Sequence, residues 1–410
     1  MNILPSTTSF ILDSGERYCL VIDQLNGLPL YHPNLFITTQ LRNKSDSFST
    51  MVSAANNLVV FLRFLNDRRI NLEERILSRV FLTVNEIDDL RDYTQLKALS
   101  LPREIPKNKR SVDTLVSPIT HYMRLTTISD YCGWYANHLI RQPNLNESKQ
   151  IKRLESQIKS RRPAKKGRNN RQDRSLDDSQ LEVLFEVIRI DSEFNPFSKY
   201  VQRRNRLIII LLYHLGLRGG ELLNLRIQDI DFSKKVLRVV RRADEKSDPR
   251  VFEPNAKTLE RMIPLGDILV KELHDYITLD RRKIKNAKKN DFLFITHKLG
   301  PTVGQPITKS GYYKVINVVR SVSPDLYKLT GHKLRHTWNR KFSEKMDSLD
   351  NVPSEERQEQ MRSFLMGWKP GSKTAAIYNK RYIEEQAKAA AIKLQSDIGI
   401  GLLSRSLRDD

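Results

Sequence analysis

The residues best suited to chemistry form a basic cluster, GHKLRHT, at positions 331–337. On a helix, residues three and four apart share one face, so His332, Arg335 and His336 would project together. Two imidazoles and a guanidinium on one face make a donor cluster suited to the oxygens of a phosphate. A solvated basic helix face would have the same composition, and this segment alone does not separate the two interpretations.

A second arginine lies in an unusual local context. Residues 216–222 read GLRGGEL, so Arg218 follows an apolar helical pattern and has glycines on both sides. Glycine lets another backbone, or DNA, approach closely. Taken alone, such an arginine more often serves as a structural ion-pair partner.

One further segment contains candidate reactive side chains. Trp368 follows Gly367 and precedes Tyr378, which closes the sequence TAAIY at 374–378. A single tyrosine on a helix is usually a packing residue, so Tyr378 acquires a chemical interpretation only in combination with the other segments.

Several kinds of site are not indicated. The chain has no Walker-type glycine loop, no HExxH, no CxxC pair and no GxSxG. We therefore predict no metal, no nucleotide cofactor and no serine nucleophile. Cys19 and Cys132 lack metal-ligand spacing and form no disulfide framework, which predicts a reducing compartment.

The charge balance points to a polyanionic partner. The formal net charge is +22, with 70 Lys and Arg against 48 Asp and Glu. Nucleic acid is the first candidate and an anionic membrane surface the second. No signal peptide and no apolar run of membrane-spanning length is recognisable, so we expect a cytoplasmic, nucleoid-associated protein that binds double-stranded DNA.

The sequence patterns around these residues predict a mainly α fold with a small antiparallel sheet, in two domains. Residues 1–48 read as strands and turns, an N-terminal extension of unassigned role. Residues 49–142 have helical periodicity and predict a small helical domain. Residues 143–174 are polar and basic and predict a linker, and 175–398 form a second domain with a tail at 399–410. The linker residues predicted to contact DNA phosphates are Arg161, Arg162, Lys165, Lys166 and Arg168.

Taken together, these contexts resemble the tyrosine recombinase (phage integrase) family over about 175–395. The segment around Arg218 matches its first arginine motif, and Lys257 matches its sheet lysine. The cluster around His332, Arg335 and His336 matches its second box. Gly367 and Trp368, followed by Thr374 and Tyr378, match its closing box.

The resemblance implies cleavage and rejoining of DNA through a 3′-phosphotyrosine, without ATP or a metal. Arg218 and Arg335 would stabilise the phosphate oxygens, and His332 or His336 would relay a proton from Tyr378. Lys257 would protonate the leaving 5′ oxygen. The resemblance also implies a helical core-binding domain and a catalytic domain that clamp DNA, a homotetramer on DNA, and possible accessory DNA-bending proteins.

Two departures from the family pattern leave alternatives open. Trp368 stands where the family usually has histidine, and its indole can donate a hydrogen bond but cannot shuttle a proton. The spacing to Tyr378 is one residue longer than usual, which leaves Tyr382 as a second candidate nucleophile. Two alternative functions are DNA relaxation of the type IB topoisomerase kind and DNA binding with a degenerate active site.

Overall fold

The computed structural model describes residues 3–97, 114–164, 174–256 and 258–369, which fall into two compact units, 1–170 and 171–410. Within the described residues the chain is mainly helical, with a two-stranded and a three-stranded antiparallel sheet. The predicted fold class, mainly α with small antiparallel sheets, is confirmed.

The first unit consists of a β-hairpin packed on helices. Its elements are β1 (Pro5–Ile11), β2 (Arg17–Asp23), α1 (Tyr31–Phe36), α2 (Phe48–Asp67), α3 (Leu72–Leu77), α4 (Val84–Gln95), α5 (Pro118–Ile140) and α6 (Leu145–Ser160). Cys19 and Val21 of β2 are buried in the same core as the helices. The region predicted as an N-terminal extension therefore contributes to the core of this unit.

The cysteines of this core are sheltered from solvent. Cys19 lies on β2 and Cys132 on α5, and both are free thiols with 0 % exposure. Burial raises the pKa of Cys19 to about 11 and also raises the pKa of Cys132. Neither side chain is a thiolate near neutral pH.

Helix α2 is the central helix of the first unit. Contrary to the expectation from the sequence, it is long and apolar enough, by length and composition, to cross a membrane. Ten of its 20 residues, Leu58, Phe61 and Phe64 among them, are buried against the rest of the unit. This burial is the usual pattern of a core helix.

Most of the first half of the segment predicted as a linker, 143–174, forms helix α6. A capping box between Asn144 and Glu147 begins the helix, and Ile151, Leu154 and Ile158 are buried in the core. These residues are three and four apart and form an apolar stripe, which the abundance of Lys and Arg in this segment concealed. The linker prediction is wrong for 145–160, while residues 165–173 lie outside the described residues.

The packing of α6 can be tested by mutation. Leu154→Ala should lower the free energy of unfolding of the first unit by about 2–5 kcal/mol, because it leaves a cavity in a closed core. Lys152→Ala, at an exposed position two residues away, is the matched control and should change it by less than about 0.5 kcal/mol. Equal effects of the two substitutions, measured by chemical denaturation, would show that this segment is not packed.

The second unit surrounds a larger hydrophobic core. Its elements are α7 (Asp178–Val187), α8 (Lys199–His214), α9 (Gly219–Leu223), β3 (Ile230–Asp231), β4 (Val236–Val239), β5 (Arg261–Pro264), α10 (Asp267–Asp275), α11 (Lys309–Arg320), α12 (Gly331–Asp347) and α13 (Glu355–Met366). The sheet has the order β3-β4-β5 and is antiparallel throughout. Leu237 of β4 lies opposite Ile263 of β5, and both are buried.

Helix α8 is the core helix that leads into the first arginine motif. Every residue from Leu207 to Leu212 is buried, as the apolar sequence predicted. The helical periodicity of the sequence predicts one helix over 203–225, but the structure has two, α8 and α9, because Gly216 adopts a left-handed φ of +59° between them. This break places Arg218 at the N-cap of the short helix α9.

Candidate active site

Helix α12 carries the histidine and arginine cluster. Thr330 caps its first turn by accepting a hydrogen bond from the backbone N–H of Lys333. Arg335 is buried, and its Nη1 and Nη2 donate to the carbonyl oxygens of Gly216 at 2.5 Å and Met366 at 3.1 Å. The second box is thereby fixed to both the first arginine motif and the end of α13.

Arg218 is held more loosely than Arg335. Its backbone N–H donates to Glu221 Oε2 at 3.0 Å, and its Nη1 lies 3.5 Å from Glu221 Oε1. The side chain is 26 % exposed. A guanidinium in this position retains donors that a phosphate oxygen could engage.

Glu221 is the carboxylate at the centre of the site, and its side chain is fully buried. It binds Arg261 Nη2 at 2.8 Å and the Thr258 hydroxyl at 2.6 Å, and Arg335 Nη1 lies 3.9 Å away. Burial alone would raise the pKa of Glu221, but Arg261, Arg335 and Thr258 together lower it below its usual value. Among the described residues of the site, one ionised carboxylate stands against three guanidinium groups, so their net charge is positive.

His332 lies close to both arginines of the site. Desolvation lowers the pKa of His332 below its ordinary value, and the charges of Arg218 and Arg335 lower it further. The imidazole is therefore neutral near pH 7 and able to accept a proton. His336 lies one turn further along α12 and is partly buried.

The turn after α13 brings Trp368 to the site. The helix ends at Gly367, whose φ is +62° and where a Cβ would lie 2.7 Å from the carbonyl oxygen of Leu259. The backbone N–H of Leu259 donates to the Gly367 carbonyl at 3.0 Å. Trp368 is 6 % exposed, and the guanidinium carbon of Arg335 lies 5.5 Å from the centroid of its ring.

The structure thus brings together four of the residues predicted for catalysis, namely Arg218, His332, Arg335 and Trp368. Two other predicted residues, Lys257 and the nucleophile Tyr378, lie outside the described residues. The same holds for Tyr382, Lys165, Lys166 and Arg168.

The two described residues of the predicted DNA-contacting set lie at the C-terminal end of α6. Arg161 Nε donates to Asp88 Oδ1 at 2.8 Å. The guanidinium carbon of Arg162 lies 4.6 Å from the ring centroid of Tyr122. Both side chains are partly buried, so part of each is engaged within the first unit.

Sequence reasoning assigned no role in the site to three of its residues: Glu221, Thr258 and Arg261. Glu221 belongs to the first arginine motif, and its position three residues after Arg218 is the signal that could have identified it. Thr258 and Arg261 gave no such signal, because their contacts with Glu221 span 37 and 40 residues of sequence.

The model of the phage integrase family matches residues 174–384 of this chain, which is about half of its 410 residues. The chain therefore belongs to the phage integrase family. The match contains every described residue of the candidate site, from Arg218 to Trp368.

Among curated proteins, the chain is similar to the tyrosine recombinase XerC of Staphylococcus epidermidis, with 28 % identity over 161 residues, 39 % of this chain and 45 % of that protein. It is also similar to the tyrosine recombinase XerD of Halalkalibacterium halodurans, with 28 % identity over 145 residues, 35 % of this chain and 40 % of that protein. The chain thus spans less than half the length of the curated relatives it matches.

Among solved structures, the chain is similar to the integrase of the transposon Tn1549 in complex with transposon right end DNA. The identity is 14 % and the TM-score 0.49, covering 87 % of this chain and all of that one.

Proposed function

We propose that this protein is a site-specific DNA recombinase that cleaves and rejoins strands through a 3′-phosphotyrosine on Tyr378. The observation that carries the proposal is the convergence of Arg218, Arg335 and neutral His332 around one net-positive site. Such a site suits a phosphodiester, whose non-bridging oxygens gain negative charge during displacement. Membership of the phage integrase family supports the same chemistry.

In the proposed reaction the phenolic oxygen of Tyr378 attacks the phosphorus in line, and the bond from phosphorus to the 5′ oxygen breaks. His332, with His336 in support, takes the proton of Tyr378, and Lys257 gives a proton to the leaving 5′ oxygen. Arg218 and Arg335 donate to the non-bridging oxygens, and the Trp368 indole N–H adds a neutral donor. Attack of a 5′-hydroxyl on the phosphotyrosine reverses the step and reseals a strand, so the cycle needs neither ATP nor a metal.

The proposal is tested by covalent capture. The purified chain is incubated with sheared genomic DNA or a randomised duplex library, denatured with detergent and extracted with phenol. We expect protein covalently joined to DNA of one recurrent sequence, which also identifies the recombination site. Relaxation of a plasmid that lacks this sequence would instead favour a type IB topoisomerase activity, and DNA binding without any adduct would contradict the enzymatic proposal.

We further propose that the two units clamp the duplex and that basic residues near 161–168 track its backbone. Replacing Arg161, Arg162, Lys165 and Lys166 with Gln should reduce the slope of log affinity against log salt by roughly 0.9 for each phosphate that these side chains no longer neutralise. Arg42→Gln, which removes an arginine paired with Glu16 on the β-hairpin, is the control and should leave the slope unchanged. An unaltered slope in the quadruple variant, measured by fluorescence anisotropy, would exclude this segment from the interface.

The family resemblance also supports a homotetramer on DNA, since exchange between two sites requires four cleavages. The alanine-rich segment from Glu384 to Ser396 is the candidate for subunit contacts. A groove of about 510 Å³ beside the closing turn, with Leu259, Phe364 and Trp368 in its lining, offers an apolar surface for it. Accessory DNA-bending proteins would act on the same complex in the cytoplasm.

A further inference from the structure

Arg261 has a hydrogen-bond partner for every nitrogen of its guanidinium, although it belongs to none of the family motifs named above. It begins β5, and its side chain is 1 % exposed. Its Nη2 binds Glu221 Oε2 at 2.8 Å, its Nη1 donates to the Thr258 hydroxyl at 3.1 Å, and its Nε donates to the Leu365 carbonyl at 2.7 Å. Each guanidinium nitrogen therefore has a partner on a different segment of the site.

These three segments contain or adjoin the separate catalytic motifs. Glu221 belongs to the first arginine motif, Thr258 directly follows Lys257, and Leu365 is in the last turn of α13 before Gly367 and Trp368. The adjoining carbonyls of Leu365 and Met366 accept from Arg261 and Arg335 respectively. Two cations thus hold the carbonyl end of α13, where the helix carries partial negative charge.

The charges around Glu221 give this arrangement a second consequence. Among the described residues, three cations face the carboxylate: Arg261 from β5 at 2.8 Å, Arg218 from the N-cap of α9 at 3.5 Å and Arg335 from α12 at 3.9 Å. Arg261 is the nearest of the three and therefore offsets most of the negative charge of Glu221. Glu221 therefore offsets little of the charge of Arg218 and Arg335, and that charge can act on a phosphate. His332 is a neighbouring titratable group, and the charges of both arginines lower its pKa.

We propose that Arg261 is a positioning residue for the cleavage reaction: it neutralises Glu221 and fixes the closing turn, so that the charges of Arg218 and Arg335 are not offset by Glu221 and act on the scissile phosphate. The role in cleavage rests on the proposed function. The effect on the ionisation of Glu221 does not, because it follows from the buried geometry alone.

The test uses the full chain with Arg261→Gln, and the DNA recovered by covalent capture as substrate. Single-turnover cleavage should fall by roughly 10- to 100-fold near neutral pH, with DNA binding retained. Without Arg261 the pKa of the buried Glu221 rises. At low pH the neutral Glu221 offsets none of the charge of Arg218 and Arg335, so the site resembles that of the wild type, in which Arg261 neutralises Glu221. At higher pH Glu221 is ionised and, without Arg261 to neutralise it, offsets part of the positive charge of Arg218 and Arg335.

The ratio of variant to wild-type rate should therefore decline as the pH rises from about 5 to about 8. The double variant Glu221→Gln, Arg261→Gln removes both charges and should cleave faster than the single variant at the upper end of this range. Arg261→Lys keeps a charge and should remove the pH dependence of the ratio while remaining slower than the wild type. A ratio that is the same at every pH, or a double variant slower than the single one, would overturn the proposal.

Stability provides a readout that is independent of recombination. Because Arg261 is the main group that lowers the pKa of Glu221 against the effect of burial, we expect Arg261→Gln to raise the pKa of Glu221 in the folded state above its unfolded value. The contribution of Glu221 to stability is then present below the unfolded pKa and lost as pH rises through the folded one. The melting temperature of the variant should fall relative to wild type across the same pH range. Arg281→Gln removes a similarly buried guanidinium that donates to the backbone carbonyls of Phe292 and Asn290, and it should lower the melting temperature by the same amount at each pH.

These readouts separate the possible failures. A pH-dependent loss of stability in Arg261→Gln without DNA cleavage by the wild type would contradict the recombinase proposal and leave the Glu221 interaction in place. Cleavage by the wild type with no pH dependence in either assay would overturn the role of Arg261 alone. If Arg261→Gln does not fold, Arg261→Lys takes its place: it should cleave more slowly than the wild type by a factor that does not change with pH, and cleavage at the wild-type rate would overturn the proposal.

Discussion

Tyr378→Phe should abolish covalent attachment to DNA and leave binding to the recombination site intact. The substitution removes only the phenolic oxygen, which is the atom that would form the bond to phosphorus, and keeps the aromatic ring for packing. We expect no detectable phosphotyrosine adduct, a loss of at least about 10⁴-fold in cleavage. Gel shift and adduct formation on the same DNA measure the two properties separately.

Tyr382→Phe is the matched control, since Tyr382 is four residues along the chain from Tyr378. It should form the adduct at close to the wild-type rate. Peptide mapping of the wild-type adduct provides the independent assignment. A DNA remnant on Tyr382 would show that the closing motif is aligned wrongly while the reaction class survives, whereas an adduct on no tyrosine would refute the mechanism.

The Arg218→Ala and Arg335→Ala variants should both cleave DNA slowly, but their melting temperatures should differ. Each removes charge stabilisation that develops mainly in the transition state, so we expect cleavage to fall by about 10²- to 10³-fold with site binding retained. Arg218 is 26 % exposed and makes one long contact with Glu221, so its loss should hardly change the melting temperature. Arg335 is 5 % exposed and donates hydrogen bonds to the carbonyls of Gly216 and Met366. Loss of the Arg335 side chain should therefore lower the melting temperature by several degrees.

The comparison isolates catalysis from folding. Single-turnover rates on the captured site, together with thermal melts of the free protein, give both quantities for each variant. Trp368→Ala should be milder in rate, because it removes one neutral donor and some packing. If Arg218→Ala cleaves like the wild type, Arg218 is a structural residue and the site has been assigned incorrectly.

The candidate site was predictable where chemistry is local in sequence. The spacing of His332 and Arg335 on one helix, and the glycines around Arg218, can be read directly from short segments, and the structure places these residues together. The network around Glu221 could not be predicted in the same way. Its partners Thr258 and Arg261 lie just before β5 and at its first residue, and only the tertiary contacts of this segment bring them to the carboxylate.

The fold was predictable where periodicity was strong and unpredictable where charge concealed it. The buried run from Leu207 to Leu212 identified α8, but the break at Gly216 depends on one backbone torsion that a continuous apolar pattern does not reveal. Helix α6 was overlooked because Lys and Arg surround its stripe of Ile151, Leu154 and Ile158. A single face at helical spacing is sufficient for burial, whatever the charge of the remaining faces.

The sheltered thiols of Cys19 and Cys132 make the protein well suited to site-directed labelling. Both are fully buried and their pKa values are raised, so maleimide reagents should react with them far more slowly than with a thiol introduced at the surface. A single cysteine at an exposed position such as Lys152 would then carry a fluorophore without prior removal of the native thiols. Pairs of such labels would allow the distance between the two units to be followed by energy transfer as DNA is bound, cut and released.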